Sequence, residues 1–302
     1  MATAKTSRVL ISGASGLIGS ALAPSLEASG YEVTRLVRGE SSTNRRIPWD
    51  PSNPLDPKLV SGFDAVIHLS GESIVGRWTA AKKKRIVDSR VLATRNLSAA
   101  LANAPQRPRM MISGSAIGFY GNRGDEILRD ESSSGTGFLP EICREWEAGT
   151  QEASAAGIRV THIRTGIVLS RDGGALQKML LPVRLGVGGK IGSGRQWMSW
   201  ISIHDMVGAV HHILRDDSLQ GPVNMVAPNP ATNAEFTKTL ASVLSRPAIF
   251  SVPAFAVRLA FGEMGEQTLL GSQRVQPAKL VASGYVFQQP DLRRALEEIL
   301  KR

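Results

Sequence analysis

Along the first two-thirds of the chain, short apolar runs rich in β-branched residues alternate with longer amphipathic stretches. The runs RVLIS (8–12), EVTRLV (32–37), DAVIHLS (64–70), RMMISGS (109–115) and RVTHIRTGIVL (159–169) read as strands. Between them, helical spacing of apolar positions covers 18–29, 79–103 and 140–156. Strands that alternate with helices in this way predict βαβ units on a parallel sheet. Their near-continuous apolar character suits a sheet covered on both faces.

After Leu169 the pattern changes. A helix and then glycine-rich loops are expected through residue 200, a helix over 202–214 and a strand over 221–228. Residues 229–302 mix two or three helices with short strands and proline-marked turns. The fold class is therefore α/β: a Rossmann-type, doubly wound parallel sheet with a smaller C-terminal substrate domain. The expected division assigns 1–169 and 201–228 to the sheet domain, and 170–200 with 229–302 to the lid.

Ligands of such sheets lie at the carboxyl ends of the strands. The first strand there runs into ISGASGLIGSALAPSL (11–26), with Gly13, Gly16 and Gly19 between strand and helix. Glycine permits a tight turn, close approach of backbone to a pyrophosphate, and close helix–sheet packing. Unpaired N–H groups at the helix start, with the helix dipole, then meet the phosphate charge. Gly13, Ser15, Gly16, Leu17, Ile18 and Gly19 are thus the expected pyrophosphate loop.

Where a carboxylate would hold the ribose of NAD, the second strand offers Arg35 and Arg38 instead. A guanidinium can bind a 2′-phosphate in a forked geometry, so the expected cofactor is NADP(H). Arg35 has the alternative of a solvent-facing strand position. At the third strand's end, His68, Leu69, Ser70, Gly71 and Glu72 are expected along the adenosine and pyrophosphate. His68, in its apolar setting, has the alternative of a hydrogen-bonded core histidine, and Glu72 that of capping a turn. Arg90 is a candidate to assist at the 2′-phosphate.

Composition narrows the setting. The chain has 302 residues, 42% hydrophobic and 21% charged, ordinary for a globular protein. No apolar run approaches the length of a membrane helix, and no signal-peptide pattern opens the chain. The single cysteine, Cys143, excludes an intrachain disulfide and cysteine metal clusters, and no metal is expected. A reducing, cytoplasmic setting follows as the expectation. The net charge of +10 attracts anions. Its densest run, AAKKKR (80–85), lies on an amphipathic helix and reads as a solvated face. With no nucleic-acid motif present, phosphate-bearing small molecules are the favoured partners.

These features resemble the extended short-chain dehydrogenase/reductase superfamily, whose better-known members are nucleotide-sugar epimerases. SGSAIGFYG (113–121) is similar to its serine-containing motif, with Ser115 at the serine position. The stretches 164–180, 192–206 and 224–230 are similar to an atypical epimerase-like branch, sometimes labelled cell-division-inhibitor-like. The resemblance implies an NADP(H)-binding fold and a homodimer. It also implies a Tyr-x-x-x-Lys pair, whose tyrosine exchanges the proton and whose lysine lowers its pKa. Tyr31, Tyr120 and Tyr285 are followed four positions on by Arg35, Gly124 and Gln289, so none fits. Alignment of FLPEICREWE (138–147) places Leu139 and Cys143 where the pair belongs.

Replacement proton carriers are Ser115 and Tyr120, with Cys143, Glu141 and His204 behind them. Arg77, Trp78, Trp146 and Arg164 are further unusual groups. Arg195, Gln196 and Trp197, on a glycine-rich loop, are expected to contact an anionic or nucleotide-linked substrate. Two readings of function stand: an oxidoreductase or epimerase-like enzyme on a small carbonyl or hydroxyl compound, or a non-catalytic NADPH-binding regulator or scaffold.

Overall fold

A computed structural model describes residues 7–39 and 45–301. Seven strands form one parallel sheet: β1 (Arg8–Ser12), β2 (Glu32–Val37), β3 (Arg46–Pro48), β4 (Ala65–His68), β5 (Met110–Ala116), β6 (Arg159–Thr165) and β7 (Gly221–Met225). Their spatial order is β7-β6-β5-β4-β1-β2-β3. The chain starts in mid-sheet, builds outward through β3, then returns to the other side of β1. That reversal opens a crevice between β1 and β4 at their carboxyl ends.

Strand alternation sorts the core onto two faces. Val9, Ile11, Val33 and Ile67 pack on one side, with α1 (Leu17–Ala28) and a later helix, Ile203–Arg215. Leu10, Leu36, Val66 and Met111 face the other, with Leu97, Leu101 and Ala153. The expected helix over 79–103 forms as three pieces. α2 (Ala80–Val87) is capped by Thr79, whose side chain accepts from the Lys82 N–H at 3.2 Å. A π-helical stretch (Asp88–Leu92) leads into α3 (Ala93–Ala102). The helix expected over 140–156 breaks at Gly149 into α4 (Phe138–Ala148) and α5 (Gln151–Ala155).

The strand expected over 159–169 also divides, at Gly166, where any Cβ would lie 2.6 Å from the Ser199 carbonyl oxygen. Ile167–Leu169 instead pairs with Trp200–Ser202. The edge strand β3 was not expected, since three residues ending in proline leave almost no periodicity to read.

A separate core holds α6 (Gly174–Arg184), Trp200, Phe236 and the last helix, Leu292–Leu300. This part is tied back to the sheet by buried carboxylates. Asp205, fully buried at the start of α7 (Ile203–Arg215), accepts from the Gln288 and Gln289 N–H groups at 2.7 and 2.9 Å and from the Tyr285 hydroxyl at 3.1 Å. Asp130 accepts from the Asn224 and Lys279 N–H groups at 2.6 and 3.1 Å. No helix among the described residues is long and apolar enough to cross a membrane.

Candidate functional site

The loop from β1 into α1 is built by its glycines, each differently. Gly13 has φ +72°, and a Cβ there would lie 2.6 Å from the Leu69 carbonyl carbon. Only glycine lets this turn press against the end of β4. A Cβ on Gly19 would lie 2.3 Å from the Gly13 oxygen, so Gly19 seats the helix on its own loop. Gly16 is different: a Cβ there would meet only the Gly13 oxygen, at 3.4 Å. Its open side faces solvent, at the N-cap of a helix with no side-chain cap and no acidic residue in its first turn. Backbone donors and dipole are thus left for an anion. No side chain lies within 4 Å of where a Cβ on Gly16 would stand, which suits the approach of a pyrophosphate. Ser15 is exposed beside Gly16, Leu17 packs against Gly173 and Gly174, and Ile18 lies partly covered.

Arg38 stands exposed just beyond β2, in no ion pair among the described residues. Arg35 is otherwise engaged: its guanidinium pairs with Glu27 at 2.9 Å. A 2′-phosphate would have to compete with Glu27 for Arg35, whereas Arg38 has no such partner among the described residues. The reading of His68 as a cofactor contact is corrected. It is fully buried, with Nδ1 2.5 Å from the Ser12 hydroxyl and Nε2 3.0 Å from that of Thr94. Burial pushes its pKa down to about 4, so it is a neutral core bridge.

The folded state therefore binds fewer protons than the unfolded chain between pH 6.5 and 4, and stability falls as pH drops through that window. Lowering pH from 6.5 to 5 is expected to cost about 1.5 kcal/mol through this group. Urea titrations of the protein and of His68→Gln check it; identical pH slopes would refute the assignment.

Glu72 pairs with Lys82 at 2.7 Å and Arg85 at 3.6 Å. The Lys82 hydrogen bond holds its carboxyl below the usual range. It anchors the start of the basic helix, whereas Leu69, Ser70 and Gly71 line the β4 edge of the crevice.

On the far side of β5, the expected proton carriers lie inside a closed network. Glu147 on α4 receives Arg164 in a two-point bridge, both contacts 2.8 Å, and the Ser115 hydroxyl at 2.7 Å. Arg164 also donates to the Tyr120 oxygen at 3.0 Å, and its Cζ lies 3.4 Å from the Phe119 ring centre. Tyr120 in turn donates to Asn224 Oδ1 at 2.7 Å. Burial raises the Tyr120 pKa against the lowering effect of Arg164, and its side chain has no exposed surface. Tyr120, Ser115 and Arg164 are thus committed to holding β5, β6, β7 and α4 together, which corrects the reading of Tyr120 and Ser115 as proton carriers.

Leu139 and Cys143 flank the same strand end, where a Cβ on Gly118 would lie 3.4 and 3.8 Å from them. Burial pushes the Cys143 thiol up to about 12, so it is protonated at neutral pH. An aromatic disulfide reagent at pH 8 is expected to leave the native thiol untouched and to titrate it after unfolding. Rapid native labelling would overturn this. The Leu139 N–H donates to Gln267 of the C-terminal part at 3.1 Å. Trp78, Ile86, Ile142 and Met264 pack around it, with Phe138 edge-on to Trp78. The position expected for a phenol is therefore walled by apolar groups.

Glu141 and His204 are exposed, as are Arg77 and Arg195. The Gln196 amide is spent on the Ile191 and Leu269 carbonyls, both 3.0 Å away. Trp197 donates to Asp125 at 2.8 Å and lies under Arg274. These two fasten the glycine-rich loop, leaving Arg195 as its free cation among the described residues. Sequence reading missed Glu147 and Gln267. Their partners are remote in the chain, and no local spacing marks them.

Residues 9–226 match the model of the NAD dependent epimerase/dehydratase family. The chain belongs to that family. Residues 252–299 match a second model, described as a domain of unknown function. The chain is 42% identical over 290 residues to epimerase family protein Mb2239 of Mycobacterium bovis, covering 95% of this chain and 96% of that protein. Among solved structures, human epimerase family protein SDR39U1 crystallised with NADPH superposes with a TM-score of 0.90 at 36% identity. That match covers 98% of this chain and 99% of the human one. A nucleoside-diphosphate sugar epimerase from Corynebacterium glutamicum gives 0.81 at 40% identity, over 97% of this chain and 58% of that one. The matched span includes the glycine loop between β1 and α1 as well as Leu139 and Cys143 on α4.

Proposed function

We propose that the protein binds NADP(H) across the crevice between β1 and β4 and works as an oxidoreductase or epimerase-like enzyme on a small carbonyl or hydroxyl compound. The observation that carries the reading is the open side of Gly16 at an uncapped helix start, with Arg38 standing beyond the neighbouring strand. The NADPH in the human relative's crystal structure supports it. Gly13, Ser15, Gly16, Leu17, Ile18 and Gly19 would carry the pyrophosphate. Leu69, Ser70 and Gly71 would lie along the adenosine side, and Arg38 would hold the 2′-phosphate. When bound, the cofactor supplies hydride chemistry.

The chain's own residues constrain what accompanies it. Leu139 has no proton to give and Cys143 holds its own too tightly, so proton exchange falls to water or to an exposed carrier such as Glu141 or His204. Arg195 is the side chain for an anionic substrate, on a lobe formed by 170–200 and 229–302. Action in a reducing compartment such as the cytoplasm suits the lone thiol.

The second reading is a protein that binds NADPH without turning it over. It is favoured by the contact between Gln267 and Leu139 and by the apolar wall around it. Titration with NADPH, NADH and their oxidised forms tests the binding, and a panel of carbonyl compounds tests consumption of bound NADPH. Selective NADP(H) binding with turnover supports the enzyme, and binding without turnover the second reading. No dinucleotide binding overturns both.

A further inference from the structure

Arg90 stands beside Gly71 at the crevice and, among the described residues, is in no ion pair. It lies in the π-helical stretch Asp88–Leu92 between α2 and α3. A π turn admits an extra residue into the helical ladder, and such insertions gather at functional sites. Its guanidinium rests on Trp146, 5.1 Å from the ring centre, and Nη1 donates to the Glu72 carbonyl at 2.9 Å. A Cβ on Gly71 would stand 3.2 Å from its Cζ. Among the described residues, its hydrogen bonds all run from Nη1, to the Glu72 and Ile86 carbonyls and the Ser89 hydroxyl. The nearby Glu72 carboxylate is turned to Lys82 and Arg85. Nε and Nη2 thus keep donors to spare among the described residues, and Nη2 lies against Gly71, 3.3 Å from where a Cβ there would stand. Burial lowers the guanidinium's pKa, yet an arginine stays charged.

Sheet order settles which end of a dinucleotide these donors face. Arg38 follows β2, on one side of the reversal between β1 and β4. Arg90 lies over the β4 loop and against α4, the helix after β5, on the other side. With strands about 4.8 Å apart, β2 and β5 are roughly 14 Å from one another. One extended ligand reaches both cations; one phosphate does not.

We propose that Arg90 is a positioning residue for the nicotinamide-side ribose and its phosphate. Its guanidinium is held there between Trp146 and Gly71 by the π turn that carries it. This revises the expectation that Arg90 assists at the 2′-phosphate, and it rests on the NADP(H) reading above.

Calorimetric titration of the protein, Arg90→Gln and Arg90→Lys with NADPH and with adenosine 2′,5′-bisphosphate separates the cases. The bisphosphate keeps the adenine end and lacks the nicotinamide half. Arg90→Gln is expected to weaken NADPH by about 10- to 100-fold and the bisphosphate by less than roughly 2-fold, with Arg90→Lys recovering part of the loss. Equal weakening of both ligands would place Arg90 at the 2′-phosphate and overturn the proposal. Unchanged affinity for both would make the guanidinium mere packing. If Arg90→Gln fails to fold, the same contrast is read from Arg90→Lys. Bisphosphate binding to the unaltered protein stands or falls separately, since it tests the cofactor reading alone.

Discussion

Arg38→Asp is expected to weaken NADPH binding by about 100- to 1,000-fold while leaving NADH within roughly 3-fold. The substitution removes a charge-assisted fork and sets a carboxylate against a phosphate, so both changes act on the same end of the ligand. NADH lacks that phosphate and should be nearly indifferent. Arg35→Ala serves as the control: its guanidinium is held by Glu27 at 2.9 Å, and its loss should cost NADPH little. The Arg38 effect should shrink as salt is raised, because the residue is exposed and its interaction screened. Equal loss of both dinucleotides would mean that Arg38 does not distinguish them.

Glu147→Ala is expected to destabilise the fold by about 3–5 kcal/mol, because Arg164 would be left charged and buried with no counter-ion. For a chain of this size that lowers the melting temperature by roughly 5–10 °C. Arg164 has only 4% of its surface exposed, so water cannot replace the carboxylate. Ser115 loses its acceptor at the same time. Removing both charges, as Glu147→Ala with Arg164→Met, should recover most of the loss, since a charge pair is then exchanged for apolar contact. A Glu147→Ala melting temperature within about 1 °C of the parent would show that the network carries no stability.

The sheet was legible because its strands must be apolar on both faces, and a run such as VLI or AVI has few other uses. The glycine loop was legible for a sharper reason: turn, backbone approach and helix seat each forbid a Cβ, and the three demands fall at a readable spacing. The loss of the Tyr-x-x-x-Lys pair could also be read, since three tyrosines can be checked one by one. The roles of individual polar residues could not. Arg38, just past the strand end, was the better candidate of the two arginines, but nothing in the spacing showed that Glu27, on the preceding helix, pairs with Arg35. Tyr120 and Ser115 looked reactive because their hydroxyls end a strand at the right place. Only the fold shows that Glu147 and Asn224 have taken those hydroxyls. Arg90 could be marked as a cofactor residue from its charge and position, but the π turn that sets its guanidinium beside Gly71 leaves no trace in spacing.

Asp205 has a consequence for how the protein is made. The parallel sheet is complete in sequence once Met225 has been synthesised, yet this buried carboxylate takes its hydrogen bonds from Tyr285, Gln288 and Gln289. At about 5–20 residues per second, the 84 residues between Asp205 and Gln289 take roughly 4–17 seconds to translate. During that interval Ser202, three residues before it, is the side chain already made that donates to the carboxylate, at 3.1 Å. Docking of α7 is therefore expected to tighten only once Tyr285, Gln288 and Gln289 have been made. A chain truncated before Tyr285 is expected to be cut by protease faster than the 302-residue chain.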